Sequence, residues 1–282
     1  MKTALPICIL ACAALRRRTP AVTLRLNRCS RDVPHNEVGL KPAENKKPLG
    51  HVIAIEGIDG SGKRTQLDLL AKALEAGGSR VYSTGFPQYE SWFGRMVGQF
   101  LNGELGALEN VDPHFTALLY AGDRFEAKPK IDAALNEGKI VLIDRYIGSN
   151  LAHQTARVAP EKRDDFRRWI EHLEYNIYDL PREDLILYLR VPAVEAQKLV
   201  ALKSQRSYTN AKQDLLEASL RHLQEAAAMY DHLARSASWV TIECFDAQVG
   251  AMRPVKEIAR DMVTAVTPLL STTVASQSGK GG

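Results

Sequence analysis

From His51 onward, short continuous apolar runs alternate with stretches whose apolar residues recur three or four positions apart. The runs 52–56, 80–84, 139–144, 185–191 and 239–243 are predicted strands. Two of them, Ile140-Val141-Leu142-Ile143 and Leu185-Ile186-Leu187-Tyr188-Leu189, are continuous rather than alternating, as expected of strands covered on both faces in a parallel sheet. The helical stretches are 65–76, 93–101, 114–125, 129–137, 160–178, 193–202, 215–234 and 255–270. In the first, Leu67, Leu70, Ala71 and Leu74 stand at helical spacing, and Gly77-Gly78 stops the helix. Strand and helix alternating over short connections predict an α/β domain of three layers, and no internal repeat is visible.

Composition divides the chain. Of its 37 Lys and Arg, ten lie in residues 1–50 with only three of the 33 acids, so the remainder carries 27 bases and 30 acids. The net charge of +4 therefore belongs to the extension, and a mildly acidic body argues against a broad electrostatic grip on DNA or RNA. Cys8, Cys12 and Cys29 also lie in the extension and leave Cys244 alone in the body. Neither a disulfide framework nor a paired-cysteine metal site is then available, which suits a reducing compartment.

The apolar run 4–15 is too short to span a bilayer, and Arg16-Arg17-Arg18 directly behind it opposes export. Residues 1–50 are read as a basic N-terminal extension, disordered or a targeting segment. Two readings stay open: an organelle transit peptide, which directs the chain to a mitochondrion or another organelle, or an over-extended start of translation, which leaves it cytoplasmic. Residues 51–270 form the domain, and 271–282, rich in Ser, Thr and Gly, are expected to be a disordered tail.

The sharpest local signal follows the first predicted strand. Gly57-Ile58-Asp59-Gly60-Ser61-Gly62-Lys63-Arg64-Thr65 matches G-x-x-x-x-G-K between a strand and a helix, the context that makes this motif credible. Glycines let the backbone fold tightly enough for successive N–H groups to point inward at a phosphate, and the helix N-terminus adds a favourable partial charge. Lys63 would reach the outer phosphates. One position departs from the pattern: where a Ser or Thr usually offers its hydroxyl to Mg²⁺ stands Arg64, and Thr65 projects about 100° further around the helix.

Other candidates follow later strands. Asp144-Arg145-Tyr146 comes directly after the apolar run at 140–143, which puts an acid and an arginine at the carboxyl edge where open α/β sheets bind ligands. Phe86-Pro87-Gln88-Tyr89 follows the second strand, and Tyr120-Ala121-Gly122-Asp123-Arg124 sits on a helix. Taken singly, Phe-Pro is commonly a turn and Asp-Arg a solvated ion pair.

In this order and spacing, Glu56-Gly57-Ile58-Asp59-Gly60-Ser61-Gly62-Lys63, Phe86-Pro87, Asp123-Arg124 and Asp144-Arg145-Tyr146, with Ser149-Asn150, Ala152 and Gln154, resemble the thymidylate kinase family over roughly residues 51–268. The resemblance implies a three-layer P-loop kinase fold with a five-stranded parallel sheet flanked by helices and a lid. It also implies transfer of the ATP γ-phosphoryl group to dTMP with Mg²⁺, giving dTDP and ADP, and commonly a homodimer. By that resemblance Asp59 contacts the sugar 3′-hydroxyl region and helps order the metal, and Asp144 assists the metal or its water. Phe86 stacks near the base, Arg124 donates to a thymine carbonyl, and Arg145 holds the acceptor phosphate. Asn150 and Gln154 line the nucleoside pocket, with which Tyr89 and Tyr120 are grouped. His153 stands where similar proteins place a Tyr beside the ribose 2′ position. The lid falls at about 203–213 and holds Lys203, Arg206 and Lys212, fewer arginines than many lids of this family. Arg64 is expected to supplement Lys63 and Arg206 on the transferring phosphoryl group, where catalysis is mostly positioning and charge neutralisation.

Three alternatives compete. A GTP-driven switch would show Asn-Lys-x-Asp, which Asn210-Ala211-Lys212-Gln213-Asp214 fails to match. A kinase for another nucleoside or monophosphate is a nearer alternative, though deoxynucleoside kinases carry Asp/Glu-Arg-Ser where this chain has Asp144-Arg145-Tyr146. An inactive nucleotide-binding relative is kept open by Arg64, His153 and the sparse lid.

Overall fold

The computed structural model describes residues 50–201 and 219–278. The basic extension up to residue 49 and the expected lid at 203–213, with Arg206, lie outside the described residues.

Five strands, β1 (His51–Glu56), β2 (Val81–Gly85), β3 (Ile140–Asp144), β4 (Leu185–Arg190) and β5 (Trp239–Glu243), form one sheet in the order β2-β3-β1-β4-β5. Every neighbouring pair is parallel. This is the five-stranded parallel sheet expected above. The continuous apolar runs lie in the middle of it: Ile53, Ala54 and Ile55 of β1 and Val141, Leu142 and Ile143 of β3 are all fully buried. Full burial of each such Ile or Leu contributes roughly 1.5–3 kcal/mol, which is what selects this register. β2 and β5 lie at the sheet edges and are mostly half-buried, so Ser83 and Thr84 are tolerated there.

Helices α1 (Lys63–Ala76), α2 (Trp92–Leu101), α3 (Pro113–Asn136), α4 (Ile147–Thr155), α5 (Arg163–Glu171), α6 (Ala193–Ala201), α7 (Leu220–Leu233) and α8 (Val255–Ser278) connect and cover the strands. α1 ends where Gly77-Gly78 was expected to stop it, with Gly78 at φ +85° donating to Glu75 O. A second small core, Val97, Phe100, Leu101, Val111 and Leu119, lies under α2 and α3.

Three expectations need correction, and one element is new. The stretches 114–125 and 129–137 are one helix, α3, which continues through Pro129 at the cost of one backbone hydrogen bond. The stretch 160–178 is three pieces, a 3₁₀ turn Pro160–Lys162, α5 and a π-helical turn His172–Ile177. In that π turn Glu174 is fully buried and faces Arg124, a reason for the irregular winding that spacing alone cannot show. A two-stranded hairpin, β6 (Phe245–Asp246) with β7 (Ala251–Met252), was not foreseen. Finally, α8 runs to Ser278 rather than giving way to a disordered tail at 271, since Ser and Thr cost a helix only tenths of a kcal/mol each. Among the described residues no helix is long and apolar enough to cross a membrane.

Candidate active site

The site gathers at the carboxyl edge of β1 and β3. Gly57-Ile58-Asp59-Gly60-Ser61-Gly62 turns tightly between β1 and α1, with Gly57, Gly60 and Gly62 all at positive φ. A Cβ on Gly60 would stand 2.1 Å from Ala196 O of α6, so only glycine fits that approach. Lys63, buried, donates from Nζ to Gly57 O and Ile58 O, both at 2.9 Å, and lies 3.4 Å from Ser61 Oγ. Its ammonium is thus folded into the loop that would hold a phosphate.

A cavity of about 160 Å³ opens beside this loop. Asp59, Gly60, Gly62, Lys63, Arg64 and Thr65 line one side of it, with Phe86, Asp144 and Arg145 completing the wall. Six of the nine come from the loop motif and three from the motifs after β2 and β3, which only the fold brings together. Arg64 is 71% exposed, and its Nε lies 3.3 Å from Asp68 Oδ1 one helical turn on.

Arg145 is the junction. Its backbone is left-handed at φ +65°, a conformation that costs a non-glycine residue about 1–3 kcal/mol and is concentrated at functional sites. From Nη1 it reaches Gly57 O at 3.3 Å, Ser149 Oγ at 3.3 Å and His153 Nε2 at 3.4 Å, and Nη2 donates to Asp59 Oδ1 at 2.6 Å. Burial opposes its charge, but Asp59 foremost, then Tyr230, Asp144 and Glu56, hold its pKa well above the usual arginine value.

What keeps the turn in place is Glu56, the fully buried last residue of β1. Its Oε1 accepts from Tyr146 N at 2.8 Å and Ser149 N at 3.0 Å, and its Oε2 accepts from Ser149 Oγ at 2.6 Å and Tyr230 OH at 3.0 Å. Glu56 stands at the head of the loop motif, but no role for it follows from the motif. A carboxylate ending an otherwise apolar buried strand was the available signal, because such a charge must be paired.

Burial and neighbours keep both active-site histidines neutral. His153 is pushed well below the usual histidine value by burial, then by Arg145 and by His222, whose Nε2 lies 3.2 Å from His153 Nδ1. Arginine has donors and no acceptor, so His153 Nε2 must accept and Nδ1 must carry the proton toward His222. His222 was not foreseen, since it lies 69 residues from its partner.

The expected nucleoside pocket is a buried polar network. Arg124 donates from Nε to Glu174 Oε2 at 2.5 Å and from Nη2 to Glu174 Oε1 at 2.7 Å, while among the described residues Nη1 makes no hydrogen bond. Its guanidinium carbon is 6.0 Å from the Phe86 ring centre. Asn150 Nδ2 donates to Glu174 Oε1 at 2.8 Å and to Ala117 O at 3.1 Å, and its buried Oδ1 has no partner among the described residues. Gln154 Oε1 accepts from Thr116 Oγ1 at 2.7 Å and from Arg157 Nη1 at 2.9 Å. Asp123 accepts from Gln88 N at 2.9 Å and Ser91 Oγ at 2.8 Å, which fixes the chain just after the cis Phe86-Pro87 bond. Tyr89 and Tyr120 pack against the second small core beside α2 rather than lining the phosphate cavity.

The residues expected to hold Mg²⁺ fit it. Asp144 Oδ1 is buried with no hydrogen-bond partner among the described residues, and Asp59 and Thr65 line the same cavity. Among the described residues no three His, Cys, Asp or Glu side chains converge on a metal position. That sparse oxygen set suits magnesium, which binds through one or two carboxylates together with water and substrate phosphates.

The family model described as thymidylate kinase matches residues 55–249. The thymidylate kinase of Mycobacterium tuberculosis is 33% identical over 184 residues, 65% of this chain and 85% of that protein. A probable thymidylate kinase of Pyrobaculum calidifontis is 33% identical over 215 residues, 76% of this chain and 94% of that one. The human thymidylate kinase is 30% identical over 165 residues, 58% and 72% of the two chains. In fold, the chain is similar to the solved structure of the Candida albicans thymidylate kinase, with a TM-score of 0.60 at 18% identity over 78% of this chain and 92% of that one. With a family match over more than half its length and a phosphate loop joined through Arg145 to the turn after β3, the chain belongs to the thymidylate kinase family.

Proposed function

We propose that this chain transfers the γ-phosphoryl group of ATP to dTMP, giving dTDP and ADP. Family membership implies a nucleoside monophosphate kinase; the choice of dTMP and ATP is our own reading. The observation that carries it is Arg145, pinned between Gly57 of the phosphate loop and Asp59 while sharing a wall with Lys63 and Phe86. Donor phosphates on the loop and an acceptor phosphate on Arg145 would then meet across one small cavity.

In this reading the backbone N–H groups of 57–63 and the ammonium of Lys63 hold the donor phosphates, with Lys63 leaving the carbonyls it now contacts. Mg²⁺ held near Asp144 and Asp59 supplies charge neutralisation on the phosphate oxygens. Arg145 orients the acceptor phosphate, and Arg64 swings from Asp68 toward the transferring group, joined by Arg206 of the lid. Phe86 flanks the base and Nη1 of Arg124, which makes no hydrogen bond among the described residues, meets a thymine carbonyl, with Asn150 supporting that side. Because phosphoryl transfer asks for little covalent chemistry of a protein, this positioning is most of the catalysis.

A second copy of the chain fits the outer face of α2 and α3. Trp92 is 57% exposed, and Phe115, Leu118 and Phe125 of α3 are 41%, 37% and 47% exposed, an apolar face that a homodimer would cover. The place of action is the cytoplasm, or an organelle if residues 1–50 are a transit peptide. ADP release measured with dTMP, dUMP, dCMP and thymidine as acceptors tests the reading. A clear preference for dTMP is expected, and equal or absent rates with all four would overturn it.

A further inference from the structure

A second cavity, of about 850 Å³, is lined on one side by Gly148 and Leu151 of α4 and shares no lining residue with the cavity at the phosphate loop. Ile186 and Trp239 place it beside the starts of β4 and β5, and α5, the π-helical turn and the end of α7 close its sides. Its volume is in the range of small-molecule sites, about 300–1,000 Å³.

The wall is basic. Arg167, Arg168, Arg182 and Arg235 face two acids, Glu171 and Glu183, and exposed His172 and His232 add further donors. Arg167 pairs with Glu171 at 2.8 Å, and Arg168 pairs with Asp165. Arg182 and Arg235 have no anionic partner among the described residues; Arg182 instead lies over the Tyr175 ring, 4.0 Å from its centre.

A solvated basic face would account for exposed arginines, but not for what lies beneath them. Two buried polar atoms of the wall, Arg167 Nε and Glu183 Oε1, have no hydrogen-bond partner among the described residues. Buried polar atoms in folded proteins nearly always have one, so each of these has hydrogen-bonding capacity left for a water or a bound group. Glu183 Oε2 accepts from Tyr175 OH at 2.7 Å, and burial above all pushes the carboxyl up to about 7, so that it is substantially protonated near neutrality and able to donate. The cavity therefore presents two guanidinium groups with no anionic partner among the described residues, one orphan N–H and a carboxyl able to act as a donor, a set that accepts negative oxygen.

We propose that this cavity is a binding site for a small organic phosphomonoester. A phosphomonoester carries close to two negative charges at neutral pH and complements Arg182 and Arg235, and the remaining volume leaves room for a sugar-sized scaffold beside Trp239. The site is independent of which acceptor the active site uses.

Trp239 makes binding visible. The chain has three tryptophans, so replacing Trp92 and Trp169 by Phe leaves the one that lines the cavity. Titration of that full-length protein with ribose 5-phosphate should give a saturable change in Trp239 fluorescence, whereas ribose alone should give none. Replacing both exposed arginines, Arg182→Ala with Arg235→Ala, should weaken the apparent Kd by about tenfold or more, as expected when charge-assisted hydrogen bonds are lost. Arg235→Glu alone should weaken it as well, and in neither variant should the KM for ATP change. No saturable signal with ribose 5-phosphate, an equal signal with ribose, or titrations that the arginine variants leave unaltered would overturn the proposal.

Discussion

Asp59 Oδ1 lies 2.6 Å from Arg145 Nη2, so the carboxylate of the phosphate loop and the arginine of the turn after β3 are locked together across two strands' ends. The same guanidinium also reaches the loop carbonyl of Gly57. An acceptor phosphate would therefore meet an arginine whose direction is already set.

Arg145→Lys keeps the charge but not the fork, and one ammonium cannot bridge Gly57, Ser149 and Asp59 as two nitrogens do. Misplacement of this order costs about 10²-fold in rate. Steady-state kinetics should show kcat lowered by about that factor with the KM for ATP nearly unchanged; a large rise in that KM alone would move Arg145 to the donor side.

Arg124 and Glu174 form an almost fully buried ion pair, 1% and 0% exposed. Removing one partner leaves the other charge unpaired, so Glu174→Ala should cost about 3–5 kcal/mol in a denaturant titration. Replacing both, Arg124→Met with Glu174→Leu, should recover much of that stability while raising the KM for dTMP far more than that for ATP. Recovery of stability with dTMP binding intact would leave the pair a purely structural one.

Glu56→Ala takes the acceptor from four donors at once, the amides of Tyr146 and Ser149 and the hydroxyls of Ser149 and Tyr230. Buried donors left unpaired cost about 1–3 kcal/mol each where water cannot reach them. Thermal unfolding should show a loss of at least about 3 kcal/mol, together with impaired turnover because Arg145 rides on the same turn. Stability within about 1 kcal/mol of the parent would mean that the turn holds itself.

His222 is pushed down to about 4 by burial first and Arg157 second, against an ordinary histidine value near 6.5. The unfolded chain therefore binds the proton more readily, and stability falls as pH drops below about 6.5 until His222 itself is protonated near 4. His222→Gln should flatten this part of the stability-versus-pH curve by up to about 1.4 kcal/mol per pH unit. Identical slopes for parent and variant between pH 6 and about 4.5 would contradict a neutral buried His222.

The parallel sheet was legible because β1, β3 and β4 are apolar at nearly every position, which only two-sided burial explains. The phosphate loop was legible because its constraint is local: glycines at positive φ followed by Lys63. Partnerships across long sequence separations were not. Glu56 meets Ser149 93 residues on, and Arg124 meets Glu174 50 residues on through a π-helical turn that no spacing rule anticipates. Tyr89 and Tyr120 stand near Phe86 and Arg124 in sequence, and their packing beside the small core of α2 was likewise beyond what adjacency alone reveals.

The most direct test of the account is the fate of the γ-phosphate. ATP labelled at that position, incubated with the protein, Mg²⁺ and dTMP, should pass its label to dTDP, and Lys63→Ala should abolish the transfer. Label released only as inorganic phosphate, or label reaching dTDP at the same rate in the Lys63→Ala protein, would contradict it.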